Sequence, residues 1–195
     1  MSELVKKLNA PSLKERLQKL QAGAGGPLAQ RIAERLNIYR ATVEQCLLLD
    51  VSGSMAEDCG DGRSKIFALN EIVGDFLSAR KFYFATHCIE SQIAGSCAGG
   101  TTDMAGAFIY VKQHGIRQAV LITDGIPDSE DAAFRSAVGL QIDIIYVGPP
   151  PEPPFLIRLA RATGGHYGAG SLAQQKQIVD RVKSLLALPA PGCAR

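Results

Sequence analysis

A chain of 195 residues is long enough for one domain with a real hydrophobic core and an extension beside it. An apolar share of 46% and a charged share of 21% are those of an ordinary globular protein, and a net charge of +2 excludes a polyanion binder by bulk composition. The charge is uneven: residues 1–40 carry eight basic and three acidic side chains, which leaves the body mildly acidic.

Leu4, Leu8, Leu13, Leu17 and Leu20 recur at helical spacing, interrupted by Pro11. A Gly-rich break over 22–27 follows a helix rather than a strand and ends in no Gly-Lys-Ser/Thr, so it reads as a linker and not a phosphate loop. A second helical stretch runs from Leu28 to Leu36. Residues 1–40 are thus a basic helical extension. Its bland reading is a solvated helix face; the alternative is a docking arm for a protein or nucleic acid. No aromatic residue interleaves the basic ones before Tyr39, which argues against a base-stacking surface.

From about residue 43 strands and helices alternate. Cys46–Leu49 is an apolar strand, and residues 56–64 form a polar loop. A helix then presents Ile66, Leu69, Val73, Phe76 and Leu77 on one face. Strands follow at Lys81–Ala85, at an edge segment over 88–94, at Ala119–Ile122 and at Ile142–Val147. Helices start near Thr102 and at Pro127–Ser129, with Gly115 and Gly139 as their stops. A Pro-rich turn over 149–154 leads to a helix over Phe155–Ala162, a last strand at His166-Tyr167 and a long amphipathic helix over Ser171–Leu188. Residues 189–195 read as a frayed tail, so the main domain spans 41–188. The alternation predicts an α/β fold: a doubly wound, mostly parallel, Rossmann-like sheet flanked by helices on both faces. In such sheets ligands bind beyond the carboxyl ends of the strands.

Asp50, Ser52, Ser54, Thr102 and Asp124 all map to that edge. They supply two carboxylates and three hydroxyls, hard oxygen donors that suit a magnesium-like cation. No His or Cys is among them, which argues against zinc. Each has a bland reading: Asp50 to Ser54 as a capped turn, Thr102 as a helix N-cap, Asp124-Gly125 as a routine turn. Asp103 reads as a first-turn acid favoured by the helix dipole. His87 also lies at that edge, where a packing role outweighs a general base. Five cysteines (Cys46, Cys59, Cys88, Cys97 and Cys193), an odd number with no CxxC pair, predict no disulfide framework and a reducing compartment. The first residues lack the apolar core of a signal peptide and no run is long enough to cross a bilayer, so the expected location is cytoplasmic, with no membrane partner.

Asp50-Val51-Ser52-Gly53-Ser54-Met55, Gly99-Gly100-Thr101-Thr102-Asp103-Met104 and Ile122-Thr123-Asp124-Gly125 together resemble the von Willebrand factor A (VWA) domain, in its bacterial stand-alone type with an intact metal-ion-dependent adhesion site (MIDAS). The likeness covers residues 43–188 in order and extends to the closing Leu159–Tyr167 segment. It implies that Ser52, Ser54 and Thr102 ligate Mg²⁺ directly, with Mn²⁺ or Ca²⁺ as substitutes. Asp50 and Asp124 would then act through water. The adjacent Thr101 stands as the alternative to Thr102. The implied function is a non-enzymatic adaptor that captures an Asp or Glu carboxylate of a partner protein, working beside a separate AAA+ ATPase of the MoxR or chelatase type. Two rivals remain: a metal-assisted phosphoesterase using Asp50, Asp124 and His87, and an RNA-protein assembly factor of the Ro-like type.

Overall fold

In the computed structural model the described residues are 45–92 and 98–187. The expected helices before residue 40, the tail 189–195, Cys97 and Cys193 lie outside them. One six-stranded sheet organises the domain: β1 (Gln45–Asp50), β2 (Arg80–Phe84), β3 (Cys88–Glu90), β4 (Gln118–Thr123), β5 (Gln141–Tyr146) and β6 (Tyr167–Ala169). The spatial order is β3-β2-β1-β4-β5-β6. Every pairing is parallel except β2 with β3, which is antiparallel. The central strands β1 and β4 are buried at every position, which is why they read as continuous apolar runs rather than alternating ones.

Among the described residues five α-helices cover the two faces: α1 (Lys65–Gly74), α2 (Met104–Gln113), α3 (Glu130–Ala137), α4 (Pro154–Ala162) and α5 (Gln175–Leu186). Leu48, Phe82, Phe84 and Leu121 pack on one side with Phe108, Phe155 and Leu159 of α2 and α4. Leu47, Leu49, Val120 and Ile122 pack on the other with Leu69, Ile72 and Val182 of α1 and α5. Alternate residues of one strand thus feed two cores, as the two-residue strand period requires.

Four sequence expectations change. Leu77 is 82% exposed beyond the end of α1, and Phe76 alone of that pair is buried. The N-cap of α2 is Asp103, whose Oδ1 accepts from the Gly106 amide at 2.8 Å, so Thr102 is released from capping. The segment after Ser171 opens with a 3-10 turn, Leu172–Gln174, before α5 begins. Finally, the edge strand expected over 88–94 covers only Cys88–Glu90 among the described residues; it runs against its neighbour and ends at the far edge of the sheet, so the chain must travel back before α2 starts. At that far edge Gln45, Gln118 and Asp143 form a buried polar chain that ends on the exposed His166: Gln45 Nε2 donates to Gln118 Oε1 at 2.8 Å, Gln118 Nε2 to Asp143 Oδ2 at 3.0 Å, and the His166 amide to Asp143 Oδ1 at 2.8 Å. Among the described residues no helix is long and apolar enough to cross a membrane.

Candidate functional site

Asp50 is the last residue of β1 and is fully buried. Its Oδ1 accepts from the Ser52 amide at 2.8 Å and its Oδ2 from the Thr123 hydroxyl at 2.5 Å. Burial pushes its carboxyl above the usual aspartate range, against the pull of hydrogen bonds from Ser52 and Thr123; nearby Asp124 pushes the same way. Both oxygens being engaged from behind, Asp50 fixes the turn that carries Ser52 and Ser54 forward.

That turn is a single 3-10 turn, Gly53–Ala56. It holds the hydroxyls of Ser52 and Ser54 3.3 Å apart. Ser54 Oγ donates to Asp124 Oδ1 at 2.7 Å, which ties the ends of β1 and β4 together. Oxygens held by one magnesium ion at right angles lie roughly 3 Å apart, and somewhat farther around calcium. The spacing of the two hydroxyls therefore fits a shared hard cation. Among the described residues no three His, Cys, Asp or Glu side chains gather as a metal cluster. Hydroxyls backed by carboxylates are hard oxygen donors of the kind that oxygen-loving cations take.

Thr102 arrives by a route the strand pattern does not reveal. The chain returning from β3 is bound to the β1 turn through Gly99 N to Val51 O (2.9 Å) and Gly53 N to Gly100 O (3.2 Å). Gly100 sits at φ +84°, and a Cβ there would lie 2.5 Å from Thr86 Oγ1, so only glycine lets the loop come this close. Beyond it, Thr102 N donates to Asp128 Oδ1 and Asp128 N to Thr102 O, both at 3.1 Å. A methyl built on Gly125 would meet Thr102 Oγ1 at 3.9 Å, so the Thr102 hydroxyl faces the turn that follows Asp124. Thr101 is exposed, and its amide donates to Thr86 Oγ1. His87 is exposed in the bend after β2.

Two residues that sequence reasoning passed over complete the site. Thr123, next to Asp124, supplies the hydroxyl on Asp50. Lys65, the first residue of α1, is buried, and its Nζ donates to Asp124 Oδ2 at 2.7 Å and to Glu57 Oε2 at 2.8 Å. Burial works against its charge, but the bonds to Asp124 and Glu57 outweigh it and hold the ammonium above the usual lysine value. A cation at the first turn of a helix opposes the dipole, and that unfavourable placement was the one available signal. An open cleft of about 610 Å³ adjoins the site, lined by Glu57, Asp58, Lys65, Tyr146, Glu152 and Ser171 among others.

No protein-family model and no curated protein matches the chain. Solved structures do. Proximal thread matrix protein 1 of the mussel byssus, described with a zinc-occupied MIDAS motif, matches at TM-score 0.53 and 15% identity over 75% of this chain and 46% of that one. A second crystal form of that protein matches at TM-score 0.51 and 16% identity, with the same coverage. A von Willebrand factor type A protein from Catenulispora acidiphila matches at TM-score 0.49 and 19% identity, over 72% of this chain and 41% of that one. This chain spans less than half the length of each of these structures. The mussel protein matches establish a VWA-like fold.

Proposed function

We propose that this domain is a protein-binding module, not an enzyme, whose sheet edge takes a hard divalent cation and through it an acidic residue of a partner. Ser52, Ser54 and Thr102 would hold the cation directly, with Asp50 and Asp124 behind them through water. When bound, the cation supplies positive charge and an open position that a partner's Asp or Glu carboxylate completes. The observation that carries this reading is the pair of neutral hydroxyls 3.3 Å apart with a carboxylate 2.7 Å behind one of them. Neutral direct donors leave the cation most of its charge for an outside anion. The exposed Ile126, two residues past Asp124, offers an apolar contact on the rim. Mg²⁺ leads the candidates, with Mn²⁺ and Ca²⁺ next; the mussel protein's zinc makes Zn²⁺ a necessary fourth in any titration. A separate ATPase of the MoxR type is the partner class that the VWA resemblance brings with it.

Calorimetric titration of the full chain with each cation tests the first half of the proposal, and capture of a partner from the native host with and without EDTA tests the second. Ser52→Ala and Ser54→Ala should each abolish cation uptake and capture together. Capture that persists in EDTA removes the cation from the function.

A further inference from the structure

The ammonium of Lys65 has three hydrogens, and the structure gives it three acceptors: Asp124 Oδ2 at 2.7 Å, Glu57 Oε2 at 2.8 Å and the Ser54 carbonyl at 3.4 Å. Two of these belong to residues proposed above to hold the cation. The side chain is only 7% exposed. Its placement is built rather than incidental. The loop between the 3-10 turn and α1 closes on itself through Lys65 N to Glu57 O (2.8 Å), Cys59 N to Arg63 O (2.9 Å) and a bridge between Asp58 and Ser64. Ser64 caps α1 by accepting from Phe67 N at 3.4 Å, which sets where the first helical side chain points. A positive charge at a helix N-terminus is otherwise disfavoured, so the two carboxylates are what hold it there.

Asp124 is thus satisfied on both oxygens by the protein itself, from Ser54 on one side and Lys65 on the other. The charge of the inner cluster changes as well. Asp50, Asp124 and, at the rim, Glu57 are the carboxylates an entering cation would meet, and Lys65 offsets one of their charges.

We propose that Lys65 is a resident cation that competes with the divalent ion for Asp124, so that it sets the ion concentration at which the site loads. This rests on the cation-binding reading above. Lys65 keeps the ion-free site folded by balancing Asp124, and it weakens uptake by like-charge repulsion and by occupying an oxygen that bound water would otherwise use. The site therefore loads over a higher range of ion concentration than its donor set alone would allow.

The test uses the full chain and Mn²⁺ as the titrant. Lys65→Met should bind Mn²⁺ by calorimetry about tenfold more tightly, the order expected when a unit positive charge beside a divalent ion is removed. Lys65→Arg, which keeps the charge, should stay within about threefold of wild type. A measurement free of any substitution accompanies these: Mg²⁺ titration should shift the Lys65 Cε resonance in lysine-labelled wild-type protein and saturate with the calorimetric isotherm recorded for Mg²⁺. If Lys65→Met binds Mn²⁺ no more tightly than wild type, or the Lys65 resonance stays fixed while Mg²⁺ binds, the competition is overturned and the proposed function survives. If neither wild type nor Lys65→Met takes up Mn²⁺, the cation reading itself has failed and this inference goes with it.

Discussion

The Thr123 hydroxyl donates to the Asp50 carboxylate at 2.5 Å, joining the last residue of β4 to the last residue of β1 beneath the candidate site. Both residues are fully buried, so no water can replace the bond. Thr123→Val keeps the shape and deletes the donor. It should cost about 2 kcal/mol, the range for a hydrogen bond to a buried charged group. Thr123→Ser keeps the hydroxyl and should cost about 1 kcal/mol or less, for one methyl. Urea unfolding in EDTA reads both. A Val variant as stable as wild type would mean that Asp50 does not rely on this bond.

The adjacent threonines separate in a second experiment. The Thr102 hydroxyl faces the turn after Asp124, whereas Thr101 is exposed and engaged only through its amide. Thr102→Ala should weaken partner capture by about tenfold or more, as expected for loss of one strong oriented contact. Thr101→Ala should leave it nearly unchanged. Equal losses in the two variants would return the assignment to open.

The parts of this fold that sequence revealed are those with a strong local cause. Cys46–Leu49 and Ala119–Ile122 are apolar at every position because helices cover both faces of the central strands, and the Asp that follows each run marks the carboxyl edge. What stayed hidden depends on contacts distant in sequence. The reversal at β3 comes from a three-residue strand whose Ile89 is 57% exposed, too short and too wet to carry a periodic signal. Thr102 and Asp103 differ as caps only because the returning loop takes Thr102 to Asp128. Lys65 precedes the apolar face that marks α1 in the sequence, and its role appears only when Asp124, 59 residues on, is placed beside it.

Cysteine chemistry gives a test of the core that is independent of the site. Cys46 is fully buried, and burial pushes its thiol far above the usual range. Cys88 is pushed up to about 12, chiefly by burial and further by Asp103. At pH 8 a thiol of pKa about 12 is about one part in ten thousand thiolate, the form that reacts. Iodoacetamide should therefore label neither residue in the folded protein within minutes, and both in urea. Peptide mapping resolves them from the remaining cysteines. Rapid labelling of Cys88 in native conditions would show that β3 opens readily, since exposure restores an ordinary thiol.

The same edge strand is held by an ion pair whose pH dependence has a definite sign. Arg80 on β2 donates to Glu90 on β3 at 2.7 Å (Nε) and 2.9 Å (Nη2), with side chains 22% and 31% exposed. Hydrogen bonding to Arg80, opposed in part by burial, holds the Glu90 carboxyl below the usual glutamate value. The folded state thus takes up the proton less readily than the unfolded chain. The pair's contribution is whole at pH 7, starts to fade below the usual glutamate value, and is gone once the pH has dropped beneath the lowered one. Glu90→Gln should cost about 0.5–1 kcal/mol at neutral pH, the range of a well-oriented pair near the surface. In acid below the lowered value the variant and wild type should unfold at the same urea concentration. The neutral-pH difference should also shrink in 1 M salt, where the screening length falls to about 3 Å. A difference that persists unchanged in acid would assign the effect to packing of the Glu90 stem against β2 and not to its charge.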